Sequence, residues 1–231
     1  MATPEETTPE TIDQTRTRAV KIIQILQKTY PQAKCALLFG DVHQLLVATI
    51  LSAQCTDERV NLTTPLLFEK YQNIEAFASA DVKELEKEVF STGFYVNKAK
   101  AIKESAKQII EKFGGEIPKS IAELTTLAGV GRKTASVVLG VGYGIAEGIV
   151  VDTHVGRISR LLGFTRKNDP AKIEKDLMEI IPVEEWILYS HLLIFHGRAI
   201  CKARRPECPI CPLNKDCPSA FIAMRGISSE S

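Results

Sequence analysis

Nowhere in this chain do apolar residues run on far enough to cross a bilayer as a helix, which takes about 20 in succession. No stretch sustains the alternation of apolar and polar residues that marks a strand, and there is no internal repeat or low-complexity insert. Sheet, solenoid and linker-rich architectures are therefore excluded. Net charge is nearly lacking too: 29 basic against 28 acidic side chains leave +1, which does not by itself announce a nucleic-acid binder. The N-terminus lacks the pattern of a secretory signal, so the expectation is a reducing compartment in which thiols stay free. That is the cytoplasm of a bacterial or archaeal cell, with no membrane partner.

What is present is unevenly distributed. Residues 1–13 hold Glu5, Glu6, Glu10 and Asp13 and no base, so the remainder carries +5 against the chain's +1. That Thr, Glu and Pro-rich head reads as a disordered acidic tail over residues 1–14. Beyond it, 45% of the whole sequence is hydrophobic, enough for one large or two small domains. Helical periodicity dominates. Ala19, Ile22, Ile23, Leu26 and Tyr30 mark one amphipathic helix, stopped by Pro31. Val42, Leu45, Leu46, Thr49 and Ile50 mark a second, with Asp41 as cap. Val82, Leu85, Val89 and Phe90 give a short one after Asp81, and Ala99, Ile102, Ala106, Ile109, Ile110 and Phe113 a longer one closed by Gly114 and Gly115. Asp169-Pro170 opens another through Ile181, and Glu184 to Ile200 a long, largely buried one. The architecture is all-α.

The stretch Leu127-Ala128-Gly129-Val130-Gly131-Arg132-Lys133 is the most informative. Pro118 to Thr126 reads as a short helix and Arg132 to Val141 as a second. Two glycines allow positive φ between them and leave no side chain between the amides and a ligand. A helix N-terminus opening from such a turn suits phosphate. Helix, glycine hairpin and helix make a grip on DNA that does not read sequence, with Gly129, Val130, Gly131 and Arg132 as its contacts. Lys133 sits in the first helical turn, where the dipole disfavours an ammonium and burial would act the same way; both favour a free amine, a nucleophile. The plain alternative is a solvated phosphate contact.

Ile149-Val150-Val151 leads into Asp152, after which Val155, Ile158, Leu161 and Leu162 follow at helical spacing, so Asp152 reads as an N-cap. The helix from Lys133 spans roughly 15 Å. At roughly 3.3 Å per extended residue, the segment 142–151 can return the chain to that helix's start. Lys133 and Asp152 can then face one cleft; otherwise Asp152 is only a cap. Further on, Cys201, Cys208, Cys211 and Cys217 place four thiols within 17 residues as C-x6-C-x2-C-x5-C. Prolines and charges between them form no core, and thiolates so close need a neutralising metal. Zinc and an iron–sulfur centre both suit four cysteines. Arg198, Lys202, Arg204 and Arg205 crowd the same region and either balance that centre or touch phosphates.

Taken together, the hairpin with Lys133, Val-Asp-Thr-His around Asp152, Leu-Ser-Ala-Gln-Cys-Thr-Asp at 51–57 and the four-cysteine tail resemble the endonuclease III branch of the helix-hairpin-helix DNA glycosylases. The resemblance runs from about Arg16 to Pro218. It implies a two-lobed fold: a six-helix barrel domain with the hairpin over 35–145, and an iron–sulfur cluster domain from 15–34 and 146–225. Lys133 and Asp152 would lie in the cleft between the lobes. It also implies that the four cysteines hold a [4Fe-4S] cluster. One departure is Ala128, where the family usually carries proline.

The implied activity is that of a DNA glycosylase and AP lyase of base excision repair, working as a monomer on double-stranded DNA with damaged pyrimidines or abasic sites. Lys133 would attack the sugar and Asp152 would stabilise the charge that develops there. Gln54 would plug the vacated position and Phe94 act as wedge; without the family, each reads as an ordinary helix-end or core residue. Ser52 and Asp57 would flank the base pocket, although Asp57 also suits the cap of a following helix. His154 and Tyr143 have no physical case as catalysts. The competing readings are a monofunctional adenine or thymine glycosylase, which uses water rather than lysine, a non-enzymatic DNA-binding module, and a zinc-stapled scaffold.

Overall fold

A computed structural model of the chain describes residues 10–220. Every regular element among the described residues is a helix or helical turn. In chain order the helices are α1 (Ile12–Thr29), α2 (Val42–Ser52), α3 (Asp57–Lys70), α4 (Ile74–Ser79), α5 (Val82–Glu88) and α6 (Tyr95–Phe113). They continue with α7 (Ile121–Leu124), α8 (Arg132–Val137), α9 (Thr153–Leu161), α10 (Pro170–Ile180) and α11 (Trp186–Ala199). The chain divides into two compact units. One is continuous, Cys35–Glu147; the other joins Met1–Lys34 to Gly148–Ser231.

In the continuous unit Asp41 caps α2 by accepting from the Gln44 amide, and every residue from Leu45 to Leu51 is buried. A helix apolar on all sides belongs at the centre of a core, and α3, α6 and α8 pack around it. α6 buries Lys98, Ala99, Ile102, Ser105, Ala106 and Ile109, supports α4 and α5, and ends on Gly114 in the left-handed region at φ 63°. The sequence pattern does not single out α3 or α4. Exposed Leu62 and Leu66 blur the buried stripe of Val60, Thr64 and Leu67 on α3, and Pro65 sits inside it.

In the split unit α1 opens with a capping box, Thr11 accepting from the Gln14 amide and Gln14 from the Thr11 amide. The acidic tail expected over 1–14 falls largely outside the described residues. Its last part is corrected: the chain is helical from Ile12, and Glu10 pairs with Arg18 at 2.7 Å. Ala19, Ile22, Ile23 and Leu26 pack with Ile173 and Leu177 of α10 and with Tyr189, Leu192 and Leu193 of α11. After α11, residues 200–220 contain only one short helical turn, Cys208–Ile210.

Candidate active site

Between α7 and α8 the hairpin turns on one glycine in the left-handed region, not two. Gly129 has φ +73°, and a Cβ built there would stand 2.6 Å from the Cβ of Ala101 on α6. Gly131 has φ −89° and is the extended N-cap of α8, with open space where a Cβ would point. Gly129 therefore fits the turn to the protein, whereas Gly131 keeps the outer surface bare. Val130 buries its side chain in the core and fixes the turn from within. Ala128, which retains an amide hydrogen that a proline would lack, donates it to Gln108 Oε1 of α6 at 2.8 Å. Arg132 and Lys133 are both exposed in the first turn of α8, so the burial expected at Lys133 is not found.

Beside Gly129 lies an open groove of about 200 Å³, lined by Gln54, Phe94, Asn97 and Lys98 among others. Gln54 lies two residues beyond α2 and Phe94 is the N-cap of α6. They are the two non-glycine residues with positive φ among the described residues, at 53° and 49°. Such a conformation is strained for a side-chain-bearing residue and persists only where the surroundings enforce it. Phe94 is 61% exposed, so it is not a core ring. Ser52 and Asp57 do not line the groove. The Ser52 hydroxyl donates to the Thr49 carbonyl at 2.9 Å within α2. Asp57 is the first residue of α3 rather than its cap; Thr56 is the cap, accepting from the Arg59 amide.

Lys98 escaped the sequence reading. It is 5% exposed and donates from Nζ to the carbonyls of Leu51, at 2.8 Å, and Thr92, at 2.7 Å. Burial lowers its pKa, but both carbonyls hold the amine. The available signal was a lysine four residues before Ile102, on the apolar stripe that runs on to Ile109.

Asp152 belongs to the other unit. It caps α9, accepting from the Val155 amide at 2.8 Å. His154 beside it has a buried Nδ1 with no hydrogen-bond partner, and burial lowers its pKa.

In the same unit Cys201, Cys208, Cys211 and Cys217 are free thiols that together line one cavity of about 30 Å³, closed by Leu162 and Leu213 among others. Burial, reinforced by the neighbouring thiols, pushes Cys211 up to about 11 and raises Cys201 and Cys217. A centre placed there must therefore be cationic enough to hold thiolates. Among the described residues, no three His, Cys, Asp or Glu side chains are close enough to hold a single metal ion. One base that reaches the cysteines is Arg157, which the sequence did not single out. It donates to Cys201 Sγ at 3.7 Å and to the Cys201 carbonyl at 2.6 Å. Lys202, by contrast, pairs with Glu207 at 2.6 Å.

Comparison with known proteins gives a consistent result. The family model described as HhH-GPD superfamily base excision DNA repair protein matches residues 47–183. The chain is 53% identical over 203 residues to an endonuclease III of Synechocystis sp., a match covering 88% of this chain and 93% of that one. Two solved structures share its fold: a non-covalent endonuclease III–DNA complex and a trapped endonuclease III–DNA covalent intermediate. Each has a TM-score of 0.85 at 43% identity and covers 91% of this chain, with 98% and 99% of the other chain covered. No helix among the described residues is long and apolar enough to cross a membrane.

Proposed function

The chain belongs to the endonuclease III family of HhH-GPD base excision repair proteins, DNA glycosylases with AP lyase activity, and on that premise we propose how its own residues divide the work. The substrate is duplex DNA, in a bacterial cytoplasm, carrying an oxidised pyrimidine or an abasic site. A base in a duplex is out of reach, so the nucleotide must first leave the stack, at a cost of a few kcal/mol that is smallest for damaged pairs. The hairpin from Gly129 to Arg132 holds the phosphates, Phe94 wedges the stack, and Gln54 fills the vacated place.

Lys133 is the nucleophile. Its nitrogen bonds to the sugar C1′ as the bond from C1′ to the base breaks, and the electron pair leaves with the base, which takes up a proton. Asp152 faces the positive charge that develops on the sugar. Ring opening and loss of the lysine proton give a Schiff base, which makes the C2′ proton acidic. Its removal expels the 3′ phosphate by cleavage of the C3′–O bond, and water then releases Lys133. The observation that carries this reading is an exposed amine one residue inside a helix that opens on a bare glycine, Gly131.

Cys201, Cys208, Cys211 and Cys217 would hold a [4Fe-4S] cluster. Two features support it: all four thiols line one cavity, and the chain belongs to the endonuclease III family, whose resemblance implies the cluster. When bound, the cluster supplies a cationic core for four half-buried thiolates and has redox states of its own. A colourless, zinc-containing preparation would overturn this assignment.

Borohydride reduction during incubation with DNA bearing an oxidised pyrimidine or an abasic site tests the central step. Wild type is expected to form a covalent adduct with DNA and Lys133→Gln none. Trapping that survives in the variant assigns the chemistry to another amine. Asp152→Asn is expected to slow excision about 10²–10³-fold at near-normal DNA affinity; undiminished activity would leave Asp152 as a cap alone.

A further inference from the structure

Lys98 is a buried cation with no part in the chemistry above, and its two acceptors are not random carbonyls. Leu51 lies in the last turn of α2, three residues before Gln54; Thr92 ends the helical turn Phe90–Thr92, two residues before Phe94. From one point on α6, the ammonium thus grips the two segments that lead into the strained, exposed residues of the groove. Carbonyls at the end of a helix lack partners within it, and a cation is the favoured donor there. A lysine buried at 5% exposure pays a desolvation cost, which accords with its lowered pKa, so a neutral residue would be the easier choice for packing alone.

We propose that Lys98 is a positioning residue: by tying the Leu51 and Thr92 carbonyls together, it holds Gln54 and Phe94 in their left-handed conformations before DNA arrives. This rests on the reading that those two side chains enter the duplex. The strain is then borne by the folded protein rather than at the moment of extrusion, which is the purpose of preorganisation.

The experiment compares excision of one oxidised pyrimidine in two duplexes, paired with a purine or facing a baseless nucleotide, where there is little pairing to break. Lys98→Met, similar in length but unable to donate, is expected to lose about tenfold or more on the paired lesion, the size that follows when strained backbone loses its support. On the unpaired lesion it should lose several-fold less. In a background of Gln54→Ala and Phe94→Ala, adding Lys98→Met should cost little further on the paired lesion, because what it positions is gone. Lys98→Arg, which keeps charge and donors, should recover a large part of the difference between substrates and serves as the test if Lys98→Met does not fold. Equal loss on both substrates, or losses that multiply independently in the combined variant, would make Lys98 a purely structural residue. A wild type that excises neither lesion, or that is indifferent to Gln54→Ala and Phe94→Ala, would instead overturn the reading beneath it.

Discussion

The two units hold their candidate residues in opposite ways. In Cys35–Glu147 most of them are exposed and ride on backbone that is strained or bare: Gln54 and Phe94 in the left-handed region, Gly129 turned against α6, and Lys133 two residues beyond the N-cap glycine. In the split unit they are half-buried and occupied: Asp152 with a helix cap, the four cysteines with the lining of a cavity. The first unit has a core of packed helices that can bear local strain. After α11 the second has about twenty described residues with almost no regular helix, and in the proposed reading their order depends on what the cysteines hold. One unit exposes its candidate groups on strained backbone, while the other keeps its candidate groups half-buried.

Cys211→Ser should break this contrast most visibly. Cys211 lines the cavity and meets His196 Nε2 at 3.6 Å. Its loss should raise hydrogen exchange through residues 200–220 and α11 while the core amides of α2 and α6 stay protected. The loss should take a large share of the roughly 5–15 kcal/mol that stabilises a domain. Exchange that rises equally in both units, or in neither, would show that the cysteines do not hold the split unit in particular.

The same contrast explains what could be read in the sequence. α2, α5, α6, α10 and the Asp152 cap were legible because apolar spacing and a capping side chain are local signals. The hairpin was legible as two glycines, yet their roles were not: which glycine needs positive φ depends on Ala101, some thirty residues earlier in the chain. Gln54 and Phe94 were assignable only through the family resemblance, since nothing in their neighbourhood announces a left-handed backbone. Arg157 and Lys98 were missed because each is defined by a partner distant in sequence, Cys201 in one case and Leu51 in the other. Arg157 looks like one of many helical arginines. Lys98 alone left a trace, a charge on an apolar stripe.

A finer division lies inside the hairpin. Gly129→Ala would place a Cβ against Ala101 at a φ that L-residues avoid, costing about 1–3 kcal/mol of stability. Gly131→Ala meets no protein atom and should cost under about 1 kcal/mol, the difference in cap preference. Thermal melts should thus separate the two variants in one direction. DNA affinity per folded molecule should separate them in the other, with Gly131→Ala the weaker binder, because its methyl group would stand in the space assigned above to the phosphate. If both variants melt alike, the division of labour between the glycines is wrong.

The smallest effect concerns Ala128. A proline at this position would fix its own φ but carry no hydrogen to donate. Here the amide does donate, to Gln108 on α6, so the turn is tied to the helix beneath it by a hydrogen bond where the family usually has a ring. Gln108→Leu keeps most of the packing and removes the acceptor, leaving the Ala128 amide to find water. About 1 kcal/mol should be lost, the ordinary worth of one such bond. Because the bond steadies a loop on the strained side of the molecule, the loss should be felt more in DNA affinity than in the exchange rates of the cysteine-bearing unit. A Gln108→Leu protein with unchanged affinity and unchanged exchange at Ala128 would mean that Val130, buried beneath the turn, already fixes it, and that the hydrogen bond to α6 adds no rigidity of its own.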